Sequence, residues 1–167
     1  MQIRKAIPAD AESIMQIFRQ AQTGLRVQGV NQWQNGYPNM EIVDMDIMSG
    51  NCLVCVVNGL IGASFVLTFE PEATYDRIYS GQWLSEGQYG VIHRMAAADE
   101  FKGRGLGAEM IEMAEQIALS RGIRSIKVDT HRDNNPMQNL LRNNEFQYCG
   151  VIYLDDGQER LAFEKLF

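Results

Sequence analysis

With 167 residues, 46% of them apolar and 22% charged, the chain has the make-up of an ordinary globular protein, long enough to bury a core as one domain over 1–167. Its formal net charge of −6 excludes a general nucleic-acid binder, which needs a basic face, but leaves room for a local cationic cluster such as Lys102 and Arg104 around a small anion. No apolar run approaches the roughly 20 residues of a membrane helix. The opening MQIRKAIPADAESIMQIF holds no uninterrupted apolar stretch before a small-residue cleavage site, so no membrane partner is expected and the expected location is the cytoplasm.

Residues 2–6 predict a short strand that Pro8 ends. Residues 9–21 predict an amphipathic helix with Ile14, Ile17, Phe18 and Ala21 on one face, and Asp10 and Glu12 suit the positive end of its dipole. The stretch GVNQWQNGYPN is rich in turn formers and reads as a loop, followed by a short helix over 41–48. Its Trp33, Gln34 and Tyr37 form either a lid against the core or one wall of a substrate site. Residues 52–57 and 60–67 are apolar β-type runs separated by Asn58-Gly59, the preferred two-residue hairpin turn.

Cys52 and Cys55 have the C-x-x-C spacing of redox and zinc sites. Residues three apart on a strand point to opposite faces, and the second half-site zinc requires is missing. They read as core cysteines, and no metal is expected.

A long connection over 68–88 leads to a strand over 89–97, a polar turn over 98–104 and a helix over 105–120. That helix carries the stripe Leu106, Met110, Met113, Ala114 and Ile117, and Gly122 closes it. A strand over 124–129 enters a polar stretch, Pro136 opens a helix to about 144, and 146–153 with 160–164 read as a closing antiparallel pair. The order β-α-α-β-β-β-α-β-α-β-β is that of an α+β domain.

The informative segment is Lys102-Gly103-Arg104-Gly105-Leu106-Gly107-Ala108, between a strand and a helix. Glycines there turn the chain sharply and leave backbone amides uncovered at the positive end of a helix, which suits phosphate groups. Gly103, Gly105 and Ala108 also match the dinucleotide pattern G-x-G-x-x-G/A, with Asp129 about 20 residues on. A doubly wound nicotinamide-binding fold needs further strand–helix units after the motif, and the antiparallel pairs on both sides oppose it.

The segment resembles the coenzyme A loop of the GNAT family of acetyltransferases, Q/R-x-x-G-x-G/A, with Lys102, Gly105 and Gly107 at the marked positions and lysine in place of glutamine or arginine. The order of elements along most of the chain is similar to that family. The resemblance implies a mixed, mostly antiparallel central sheet flanked by helices. It implies acetyl-coenzyme A as cosubstrate, its pyrophosphate held by the amides of Gly103, Arg104, Gly105, Gly107 and Ala108. It also implies that the backbone of Met95 and Ala97 meets the pantetheine arm, and that Asn135 meets that arm through its side chain; helix capping is the other reading of Asn135.

Transfer to an amine requires removal of a proton, and His93, one of two histidines, is the leading base. An imidazole ordinarily titrates near 6.5, and on an unbroken strand His93 shares a face with Met95 and Ala97. His131 is the weaker candidate. Many members of that family carry a tyrosine as general acid five residues before the phenylalanine of the next strand; here that position is Leu141, which leaves Tyr148 or Tyr153 as a substitute, or a thiolate that leaves unassisted or with water. The expected activity is N-acetylation of a small-molecule amine without a covalent enzyme intermediate. The missing tyrosine keeps a non-catalytic acyl-coenzyme A sensor as the alternative, and a homodimer stays open.

Overall fold

The computed structural model describes residues 1–167 and contains seven strands and four α-helices. In chain order these are β1 (Gln2–Lys5), α1 (Ala11–Val27), α2 (Met40–Met48), β2 (Cys52–Val57), β3 (Leu60–Thr68), β4 (Gly90–Ala97), α3 (Leu106–Ser120), β5 (Ser125–Thr130), α4 (Asn135–Asn143), β6 (Gln147–Tyr153) and β7 (Glu159–Leu166). The strand order is β1-β2-β3-β4-β5-β7-β6. β4 and β5 run parallel, with Gly90 opposite Ile126 and Val91 opposite Lys127, whereas β1–β2, β2–β3, β5–β7 and β6–β7 are antiparallel. This is the mixed, mostly antiparallel α+β sheet expected above. No helix is long and apolar enough to cross a membrane.

The chain forms two compact units, Met1–Leu67 with His93–Met110, and Thr68–Ile92 with Ile111–Phe167. In the first, the apolar stripe of α1 buries Ile14, Met15, Ile17 and Phe18, and α2 buries Val43 and Ile47. Arg4 of β1 grips Asp10 at the start of α1 through two hydrogen bonds of 2.7 and 3.0 Å. The β2–β3 hairpin turns at Asn58 and Gly59, both at positive φ, as a type I′ turn requires. Cys52 and Cys55 are buried, and burial pushes each thiol up to about 11. They serve as core residues.

Helix α1 runs to Val27, six residues past the sequence expectation. Gly24 disfavours a helix on propensity alone, yet α1 continues through it, with Gln22 and Arg26 on either side bonded to the loop that follows. Tertiary packing overrides the local preference.

In the second unit Tyr75, Val91, Ile152 and Ala162 form an apolar cluster against which Ile78, Trp83, Tyr89 and Leu154 pack. The connection before β4 is therefore ordered by its aromatics. Tyr79 pairs with Val151 by two backbone hydrogen bonds of 2.8 Å, covering the outer edge of β6. Trp83 donates its indole N–H to the Tyr75 carbonyl, and Lys127 Nζ sits 4.3 and 4.0 Å from the Trp83 and Tyr89 ring centres.

Candidate active site

The glycine corner is built from β3 outward. Ala98 N–H donates to the Gly62 carbonyl at 2.8 Å, and a Cβ at Gly62 would come within 3.2 Å of the Phe101 ring and 3.3 Å of Leu106. Glycine at 62 thus lets Phe101 and Leu106 seat closely, and those two buried side chains fix the ends of the exposed run 102–105. Within that run Gly103 and Gly105 have φ of +73° and +81°, values other residues adopt only under strain. A Cβ at either position would meet nothing within 4 Å. Space therefore lies open over both peptides.

Gly105 opens α3, its carbonyl accepting from Glu109 N–H at 3.2 Å. The amides of Leu106, Gly107 and Ala108 fall in the first helical turn, where no earlier carbonyl of the helix can reach them, and a glycine at 105 brings no side chain to cap them. Lys102 pairs with Asp99 at 2.5 Å, and Asp99 is itself held by Gln20 of α1. Arg104 lies over the Phe101 ring, 5.3 Å from its centre. Exposed amides, a helix dipole and two cations on tethered side chains suit a diphosphate.

On β4, His93, Met95 and Ala97 are each partly buried. The two-residue period that set them on one face does not run unbroken, because Arg94 between them has φ +48°. A left-handed residue inside a strand costs about 1–3 kcal/mol and persists only where the surroundings impose it. Here they do. Arg94 donates from Nε and Nη2 to the two carboxylate oxygens of Asp46 on α2, both at 2.7 Å, and from Nη1 to the Tyr37 hydroxyl at 2.6 Å. Both side chains of the ion pair are largely buried, 15% and 14% exposed. Burial alone would lower the Arg94 pKa, but Tyr37 and Asp46 outweigh it and hold the guanidinium charged.

The loop before α2 packs on α1. The Trp33 ring meets Phe18 edge-on at 5.6 Å between centres. Gln34 donates to the Gln22 carbonyl at 2.9 Å and accepts from Arg26, while Gln22 donates to the carbonyls of Tyr37 and Pro38. Trp33, Gln34, Tyr37, His93, Met95, Ala97 and the glycine run 102–108 all belong to the first unit.

Asn135 and Tyr148 lie in the second unit. Asn134 caps α4, accepting from Met137 N–H at 3.2 Å, so helix capping does not account for the exposed Asn135. Tyr148 is 50% exposed on the edge strand β6, its ring against Phe163. Tyr153, also half-exposed, stacks edge-on with Tyr79. Burial, then the charge of Arg160, lowers the His131 pKa, which favours its neutral imidazole.

A sequence model described as the acetyltransferase (GNAT) family matches residues 27–146, well over half of the chain. The chain belongs to the GNAT acetyltransferase family. A GNAT acetyltransferase from Streptococcus agalactiae 2603 is 34% identical, with 99% of this chain and 95% of that chain covered and a TM-score of 0.89. An N-acetyltransferase of Bacillus subtilis (strain 168), YesJ, with no characterised activity, is 26% identical over 96% of this chain and 87% of its own length. A GNAT acetyltransferase of Listeria monocytogenes 4b F2365, at 18% identity, shares the fold with a TM-score of 0.76 over 99% of this chain and 94% of that one. The protein is thus an acetyltransferase of the class that draws its acyl group from acetyl-coenzyme A.

The residues present fit that donor: the open space over Gly103 and Gly105 and the uncapped first turn of α3 leave a cradle that side chains would otherwise fill. The GNAT assignment also disposes of the nicotinamide reading of the same glycines. Asp129, the acidic residue of that fingerprint, accepts a hydrogen bond from the Tyr75 hydroxyl at 2.7 Å, and burial pushes its carboxyl pKa up. Leu141 is 1% exposed and part of the core, so its side chain has a packing role that a tyrosine hydroxyl would not serve. Sequence reasoning missed Gly62, Asp46 and Arg94. A lone glycine in an apolar strand was a usable signal for close approach; nothing local pairs residues 46 and 94.

Proposed function

We propose that this chain transfers the acetyl group of acetyl-coenzyme A directly to the nitrogen of a small-molecule amine in the cytoplasm. The observation that carries the reading is the glycine corner, with its left-handed Gly103 and Gly105 under open space at the start of α3. The peptide amides of Gly103, Arg104, Gly105, Gly107 and Ala108 bind the pyrophosphate, with Lys102 adding positive charge. The β4 backbone at Met95 and Ala97 aligns the pantetheine arm as an added strand would. Trp33, Gln34 and Tyr37 line the acceptor side. A net charge of −6 supports a small acceptor over nucleic acid, and a homodimer is compatible with the reading.

His93 takes the proton that the amine must lose, directly or through a water. The amine nitrogen forms a bond to the thioester carbon, the carbon–sulfur bond breaks with its electron pair going to sulfur, and the thiolate takes up a proton. Solvent serves as the donor of that proton in the balance. The Met95 amide donates to the thioester oxygen as negative charge builds there.

Thiol release with acetyl-coenzyme A and a panel of amines tests the reading. His93→Ala should lower kcat about 100-fold or more with coenzyme A affinity within about threefold, and should remove the rise in rate near neutral pH. An unchanged pH–rate profile would refute His93 as the base. Binding of acetyl-coenzyme A without turnover on any amine, unaltered in the variant, would favour the sensor instead.

A further inference from the structure

We propose that Arg94 is a positioning residue for acyl transfer: the Asp46–Arg94–Tyr37 clamp holds the β4 main chain in the left-handed turn that aims the Met95 amide at the thioester oxygen. The inference rests on the reading above, in which that amide serves the reacting carbonyl.

Three observations converge. In a regular strand successive peptide groups alternate in direction, and a left-handed residue breaks that alternation at the peptide that follows it. Here the following peptide is Arg94–Met95, whose N–H the proposed function assigns to the thioester oxygen. Next, an arginine has no intrinsic reason to sit at φ +48°, since glycine, asparagine or aspartate adopt that region at less cost. Its side chain supplies what its backbone resists: a planar fork matched bidentately to Asp46, with a third bond to Tyr37. Lastly, the clamp reaches the proposed acceptor loop through Tyr37, whose carbonyl is in turn held by Gln22 of α1. The strand that presents the donor and the loop that receives the acceptor are thereby tied to one guanidinium.

A purely structural ion pair and a positioning clamp differ in what glycine does at 94. If the side chain serves only stability, glycine should still unfold later than alanine, because it is unstrained at φ +48°, but folded samples of both should keep the wild-type carbonyl resonance and kcat. If its task is to impose the left-handed turn, glycine adopts that turn without strain and should recover part of what alanine loses.

The experiment compares the full-length wild type with Arg94→Ala, Arg94→Gly, Asp46→Asn and Tyr37→Phe. It reads thermal unfolding, acetyl-coenzyme A affinity, kcat, and the 13C resonance of carbonyl-labelled acetyl-coenzyme A bound to each protein. The carbonyl should move downfield on binding to the wild type, return toward the free position in Arg94→Ala, and lie between in Arg94→Gly. With affinity held within about threefold, kcat should fall about tenfold or more in Arg94→Ala and Asp46→Asn, and clearly less in Arg94→Gly. Should the position-94 variants fail to fold, Tyr37→Phe keeps the ion pair and should show the same displacement at smaller amplitude. A bound carbonyl that is unshifted in the wild type, or equally shifted in every folded variant, overturns the inference and leaves the proposed function standing. Glycine no better than alanine, with kcat tracking stability, overturns it too. Failure of the wild type to bind acetyl-coenzyme A at all overturns the proposed function and this inference together.

Discussion

Gly103 and Gly105 carry two separate demands, a positive φ and an open face, and substitution distinguishes them. Alanine at either position meets no protein atom within 4 Å, so its only internal penalty is the strained backbone, about 1 kcal/mol. The same methyl intrudes into the space assigned to the pyrophosphate. Gly105→Ala should therefore shift the unfolding midpoint by a few degrees at most while weakening coenzyme A binding about tenfold or more, measured by calorimetry on the same sample. Gly105→Glu, which adds charge repulsion to bulk, should abolish measurable binding. Affinity losses no larger than the stability losses would mean that no ligand lies over this corner.

Among the elements, the start of α1 shows how a single carboxylate joins strand to helix. Asp10 accepts from both Arg4 nitrogens and from Ile7 N–H at 2.8 Å, and these bonds hold its pKa below the ordinary 3.8. Its stabilisation is complete above about pH 4, where the unfolded aspartate is ionised, and is lost as pH falls through the lower folded-state value. Because Arg4 is partly exposed, the contribution is about 1 kcal/mol. Asp10→Asn should lower stability by that amount at pH 7, with the gap to the wild type narrowing as pH falls below 3.8, as followed by urea unfolding across the acid range. The β2–β3 hairpin and α2 were legible as elements because turn chemistry and apolar pattern agree there. Helix α1 outruns its sequence reading of 9–21 because Gln22 and Arg26 bond to the loop that follows, contacts that no local pattern reveals.

For the molecule as a whole, the three cysteines test how closed the interior is. All are buried, Cys52 and Cys55 with thiols pushed up to about 11, and Cys149 is raised by burial as well. No thiol should react with a disulfide reagent in the native protein at pH 8, and all three should react after unfolding in denaturant. This behaviour also lets the same reagent report coenzyme A release without interference. Fast labelling of Cys52 or Cys55 in the native state would contradict the packed β2 strand described here.

The glycine corner was legible from a short segment because its chemistry is local: alternating glycines at a strand-to-helix junction need no distant partner to be recognised. The individual strands and helices were readable from periodicity for the same reason, whereas the mixed sheet was what the resemblance to the GNAT family implied. Arg94, by contrast, looked like any residue of an apolar strand. Its left-handed backbone, its ion pair with Asp46 and its bond to Tyr37 join positions 48 and 57 residues apart, and only chain folding brings them together. Likewise the even spacing of His93, Met95 and Ala97 implied a shared face, which holds only for a regular strand. The sequence determined the glycine corner, whereas the tertiary structure decided the conformation of the strand beside it, because side chains far along the chain impose a backbone angle that its own residues would not choose.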